Sequence, residues 1–217
     1  MKYIYIVLAL FISSVTFSQT DAKAKAILDK VAKEYQSYKA VSIDFVLIME
    51  NAQEDIKESS KGKAWAKGKM YKVNLMGVET YYDGTNKWSY MVDAEEVNLT
   101  SPDPSDKNAF NPSQLFTEYQ NGYKLKFVEE VFKNNRALQV IDLLPAQDKV
   151  KSSEFNRIKV KIDKDKNQIY QIVRYGKDGN DYTITLSKIT KQSTLPDTMF
   201  KYDKTKYPDV ELIDLRD

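Results

Sequence analysis

The sequence predicts a mainly β protein of about ten to eleven antiparallel strands, preceded by one helix and interrupted by a second, short one. Three observations carry this. Apolar and polar residues alternate through most of the chain, as in Tyr71, Val73 and Leu75 against Met70, Lys72 and Asn74, or Trp88, Tyr90 and Val92 against Lys87, Ser89 and Met91. Turn-forming pairs separate these runs at Gly68-Lys69, Met76-Gly77, Asp83-Gly84 and Asp93-Ala94. The three-to-four-residue recurrence of a helix is sustained in only one long stretch. One amphipathic helix and one short one cannot cover so wide a sheet, so it must curl on itself around a filled core or a cavity.

The first eighteen residues read as a secretory signal peptide: Lys2, an apolar run from Tyr3 to Ile12, and Thr16-Phe17-Ser18 before Gln19. With cleavage after Ser18, the mature chain is 217 − 18 = 199 residues, expected to be one soluble domain over 19–217. The chain has no cysteine, hence no disulfide and no site for its own lipidation. Its 33 basic and 31 acidic residues nearly cancel. Lysine-rich stretches such as Lys61 to Lys72 read as the wet face of strands, and nucleic acid is not an expected partner.

The mature chain opens with a helix over 21–38, whose apolar stripe is Ala26, Ile27, Val31, Tyr35 and Tyr38. A strand follows, with Val41, Ile43, Phe45, Leu47 and Met49 on one face. The polar loop 51–58 leads into the meander of 59–100. Ser101 to Asn111 is a loop by composition. It delivers the short helix, with Asn111 as N-cap, Pro112 at the first helical position, Leu115, Phe116 and Tyr119 on the apolar side, and Gly122 as its end. Strand alternation then resumes through Tyr123, Leu125 and Phe127, Leu138 and Val140, Ile158 to Ile162, and Tyr182 to Leu186.

The order of these features is similar to that of the LolA-type carriers of bacterial outer-membrane lipoproteins. The resemblance rests on Gly62 and Trp65, the aromatic strand at Tyr71, Asp83-Gly84 followed by Trp88 and Tyr90, and Val97 to Thr100. It extends to the opening helix, the inserted helix, Asp197 to Phe200, and Pro208 to Asp214. It implies an incomplete, half-open antiparallel β-barrel whose two helices form a lid over a cavity for acyl chains. Carried over, the cavity wall is Phe45, Leu47, Trp65, Tyr71, Val73, Trp88, Tyr90 and Phe127, and the lid is Ile27, Val31, Leu115 and Phe116. It further implies a periplasmic monomer that takes lipoproteins from an inner-membrane ABC transporter to an outer-membrane receptor. The family's arginine-proline pair after the strand tryptophan, whose arginine bonds the lid, is replaced here by Lys67-Gly68-Lys69-Met70.

The residues themselves argue against an enzyme. Without histidine or cysteine, Ser-His-Asp triads, Cys-His pairs and histidine-bearing zinc sites are excluded. Ser60-Lys61-Gly62-Lys63 fits Ser-x-x-Lys but lacks its companion motifs. Asp163 to Asn167 starts like a calcium loop, but Gln168 and Arg174 stand where glycine and glutamate are required. Glu95-Glu96 and Glu129-Glu130 are adjacent strand residues that face opposite ways. The expectation is a carrier without metal or cofactor. Two alternatives stand beside lipoprotein transport: a carrier of another acylated lipid, and a sensor or scaffold domain that binds a protein around a filled interior.

Overall fold

The computed structural model describes residues 16–102, 111–112, 114–120 and 122–216. Most of the proposed signal peptide therefore lies outside the described residues. One helix, α1 (Thr16–Gln36), precedes the strands β1 (Ala40–Asn51), β2 (Ile56–Lys67), β3 (Met70–Leu75), β4 (Val78–Tyr82), β5 (Lys87–Met91) and β6 (Glu96–Thr100). After the inserted segment come β7 (Tyr123–Lys133), β8 (Arg136–Pro145), β9 (Phe155–Asp163), β10 (Gln168–Gly176), β11 (Asp181–Gln192) and β12 (Glu211–Asp214). Among the described residues no helix is long and apolar enough to cross a membrane.

All twelve strands belong to one sheet, in the order β12-β6-β5-β4-β3-β2-β1-β11-β10-β9-β8-β7. It is antiparallel except at β12, which pairs parallel to β6. The N- and C-terminal meanders meet where β1 pairs with β11, so the sheet's centre joins chain segments far apart in sequence. The sheet does not close, which is the half-open arrangement expected. The strand beyond the expected number includes β12, whose four residues are too few for an alternation to stand out.

Side chains of one parity face inward. Ile43 and Phe45 of β1, Ala64 and Ala66 of β2, Tyr71 and Val73 of β3, and Ile158, Ile172 and Ile184 across the other arm form one buried cluster. Helix α1 fills part of the space above them with Ala24, Leu28, Val31, Ala32 and Tyr35. This stripe is rotated from the expected one: Ala26 is exposed and Ile27 half-buried, because Ala24 and Leu28 complete a better-matched line with Val31 and Tyr35.

A second cluster lies on the outer face. Tyr81, Trp88, Tyr90, Val97 and Leu99 are covered there by Tyr202, Tyr207 and Val210 of the C-terminal segment. The inserted segment is not a regular α-helix among its described residues. Turns over 114–117 run into a 3-10 helix at Glu118–Gln120, and Gly122 ends it at φ +82°. So short a stretch cannot repay helix nucleation, and its contacts with the core set its shape instead.

Candidate binding cavity

The two arms of the sheet enclose a cavity of about 780 Å³. Phe45 and Leu47 from β1 and Ile184 from β11 make its floor, with Tyr71, Val73 and Leu75 from β3 on one arm and Phe155 and Tyr182 on the other. Val78, Thr80, Lys87 and Ser89 continue the first arm, and Glu154, Arg174, Lys177 and Asp178 the second. The lining is thus apolar at the centre and polar towards its edges, as suits a ligand with a long apolar part.

The floor depends on a local pairing. Gly62 lies directly across from Phe45 in the β1–β2 ladder, and a Cβ at this glycine would overlap the phenyl ring. Glycine lets the ring lie down over β2 as a flat apolar surface.

Of the eight residues expected in the wall, Phe45, Leu47, Tyr71 and Val73 line the cavity. Trp65 lies on the outer face, where Lys63 Nζ sits 5.2 Å from its ring centroid, because Ala64 and Ala66 take the inward positions of β2. Trp88 and Tyr90 also point outward, into the second cluster, and Lys87 and Ser89 take the cavity side of β5. These three are corrections of one kind: in a strand, the neighbouring residue occupies the other face. Phe127 packs against the main core beneath α1, with Lys23 Nζ 3.5 Å from its centroid, away from the cavity.

Val31, Leu115 and Phe116 are gathered over the β8–β10 side of the inner face, beside the cavity, and Ile27 lies at the margin. Phe116 stacks on Tyr35 of α1 with ring centroids 3.3 Å apart. Tyr119 donates its hydroxyl to Asp29 Oδ1 at 2.6 Å. The bond from Lys25, then that from Tyr119, holds the Asp29 carboxyl below its ordinary range. Glu118 accepts a 2.8 Å hydrogen bond from Arg174 Nη2 on β10. The inserted segment is therefore tied both to α1 and to the sheet.

Arg174, Leu75, Phe155, Tyr182 and Ile184 were not among the expected site residues. Arg174 carried a usable signal: it shares strand parity with Ile172, so a cation occupies an inward position. Tyr182 carried the same signal, sharing parity with Ile184 on β11, whereas Glu118 and Phe155 gave none, because their place depends on how the two arms curl together. Among the described residues, no three of His, Cys, Asp or Glu are gathered where a metal ion could be held.

An apolar chamber between the arms of one unclosed sheet, flanked by a helix and a tethered inserted segment, defines a β-sheet carrier or binding domain. The family model described as outer membrane lipoprotein carrier protein LolA matches residues 14–167, and the chain belongs to that family. No curated protein matches it. Among solved structures, an uncharacterized conserved protein from Thermus thermophilus superposes with a TM-score of 0.58 at 12% identity, over 88% of this chain and 99% of that one. A LolA superfamily protein from Nitrosomonas europaea is similar at a TM-score of 0.45 and 12% identity, over 82% of this chain and 97% of that one. The Pseudomonas aeruginosa MucA/MucB complex contains a chain similar at 0.47 and 14% identity, over 83% of this chain and 61% of that one. At 12% identity the likeness to the Thermus thermophilus protein is one of fold.

Proposed function

We propose that the protein is an exported, non-enzymatic carrier that shields the acyl chains of lipoproteins and ferries them through the periplasm from inner to outer membrane. The observation that carries this reading is the apolar chamber of about 780 Å³ inside a fold of the lipoprotein-carrier family. An acyl chain gains about 0.8 kcal/mol per buried CH₂, so a diacylated or triacylated protein does not cross water unassisted. Phe45, Leu47, Val73 and Ile184 supply apolar cover, and the polar edges leave room for a cargo's headgroup or peptide. Within this reading, residues 1–18 act as the export signal, an inner-membrane ABC transporter is the donor and an outer-membrane receptor the acceptor.

Native mass spectrometry of the mature protein, gently purified from its periplasm, tests this. An added mass of one or more acylated molecules is expected, and its value separates a lipoprotein from a simpler acylated lipid. Leu47→Trp, which fills the floor, should weaken uptake of an acylated peptide by about tenfold or more. A protein that comes out empty and ignores added acylated peptide overturns the carrier reading and leaves a protein partner as the alternative.

A further inference from the structure

Among the described residues, exposed large apolar side chains are scattered, with Phe132 the most exposed at the end of the β7–β8 hairpin, but four of them share the opposite end of the sheet. Ile56, Met76, Val92 and Val150 are all exposed, and all lie in or beside its turns. Register places Met76 beside Val92, since β3 and β4 close at Leu75 and Val78 and Val78 faces Met91 of β5; Ile56 is at the same end but further out, beyond Gly62, which pairs with Leu75. The loop over 146–154 joins the same end, since Lys177 donates its backbone N–H to Glu154 at 2.9 Å and its ammonium to the Val150 carbonyl. The cavity reaches this end. Leu75 and Val78 form one lip, and Glu154, Lys177 and Asp178 the other.

Met76 is the unusual member. It stands between two cavity-lining residues, is 59% exposed, and adopts φ +54°. Among the described residues, the other non-glycine residues with positive φ are Asp55, Glu95, Asn134, Asn135 and Asn167, all polar. With Gly77 at φ +74°, Met76 fills a two-residue hairpin turn in which Asn-Gly is the favoured pair. A turn alone would be served better by asparagine, so the backbone is strained to present a thioether to the outside.

We propose that this turn-bearing end docks shallowly on a lipid bilayer, with Met76 and Val150 in the interfacial layer and the cavity's lips against the membrane. Isolated apolar tips on separate turns suit a fluid apolar phase better than a protein, whose binding surfaces need a contiguous complementary patch. Glu54, Asp55, Asp93 and Glu95 are mixed with Lys57, Lys149 and Lys151 at the same end, so the attraction is apolar and does not depend on anionic lipid. The purpose of such docking, passage of an acyl chain without contact with water, rests on the carrier reading. The docking itself does not.

Flotation of the full mature chain with vesicles of phosphatidylcholine and phosphatidylethanolamine tests it. The protein should float with the vesicles, and Met76→Asn combined with Val150→Ser should lower the floating fraction roughly tenfold. Met76→Leu should float like the wild type, which separates loss of apolar character from disturbance of the turn. Binding of a soluble acylated peptide reports on the carrier reading separately and should survive the double substitution. Three outcomes overturn the docking proposal: wild-type protein that stays at the bottom, as a purely protein partner for these tips would give; a double variant that floats equally well; or flotation that requires anionic lipid and vanishes with salt.

Discussion

Arg174 and Glu118 join the sheet to the inserted segment, with Nη2 of the arginine 2.8 Å from Oε2 of the glutamate, both side chains mostly buried. Arg174 Nε is buried with no hydrogen-bond partner, so Glu118 carries much of the compensation for bringing this cation inside. Glu118→Gln should cost about 1–3 kcal/mol of stability and speed amide exchange over 114–120. Replacing both residues with methionine should cost less than the single change, because no uncompensated charge remains. Denaturant unfolding and hydrogen exchange check both, and an unaltered exchange rate in Glu118→Gln would show that the segment is held by its apolar contacts alone.

Gly62→Ala should destabilise the protein by about 1–3 kcal/mol, since the new methyl group displaces the Phe45 ring that lies over this position. The displaced ring has the cavity as its free space, so on the carrier reading acyl binding should weaken at the same time. Phe45→Leu introduced beside Gly62→Ala should recover part of the stability. Equal unfolding midpoints for Gly62→Ala and the wild type would mean that the ring has another resting place.

Trp88 belongs to the aromatic cluster beneath the C-terminal segment and not to the cavity. Trp88→Ala is expected to cost about 3–5 kcal/mol and, on the carrier reading, to leave the acyl-binding constant of the folded protein unchanged. Thermal unfolding and a binding titration below the transition separate the two effects. Loss of binding at full folding would return Trp88 to the wall.

Alkaline pH should unfold the protein through its buried phenols. Burial first, and the Asp29 carboxylate second, push Tyr119 up to about 12. A tyrosine in the unfolded chain ionises near ~10. Because the folded value is the higher one, this contribution is fully present below ~10 and is lost as pH rises towards about 12. Urea unfolding at stepped pH should show stability falling across that window, less steeply in Tyr119→Phe. Tyr35 and Tyr81, also raised chiefly by burial, sustain the remainder of the fall. An identical slope in the variant would remove Tyr119 from the account.

Strand alternation made the architecture legible, and the turn pairs made neighbouring strands antiparallel; both signals are local and survive without tertiary information. The face of each strand was less legible. Phe45, Leu47, Tyr71 and Val73 stood on the cavity side because their strands have one apolar parity and one polar parity. In β2 and β5 the large aromatic residues turned outward, because small Ala64 and Ala66 are needed inside one and a C-terminal covering awaits Trp88 and Tyr90 outside the other. The alanines lie in β2 itself, but the need for small residues there is set by what packs over them, and the covering of β5 comes from Tyr202, Tyr207 and Val210, far along the chain. The inserted segment was found from its proline, apolar residues and glycine, but its 3-10 form and its bond to Arg174 arise only after the sheet has curled.

The sheet ends at β7 on one side and β12 on the other, without a bond between them. A closed barrel has a circumference fixed by strand number and stagger, and its bore cannot widen without breaking a ladder. This sheet has no such constraint: a slight change in twist at each strand pair would spread or draw together the arms that carry Tyr71 and Tyr182 while every ladder stayed intact. The chamber's width is therefore a soft coordinate, and on the carrier reading ligands of different girth can share one set of walls.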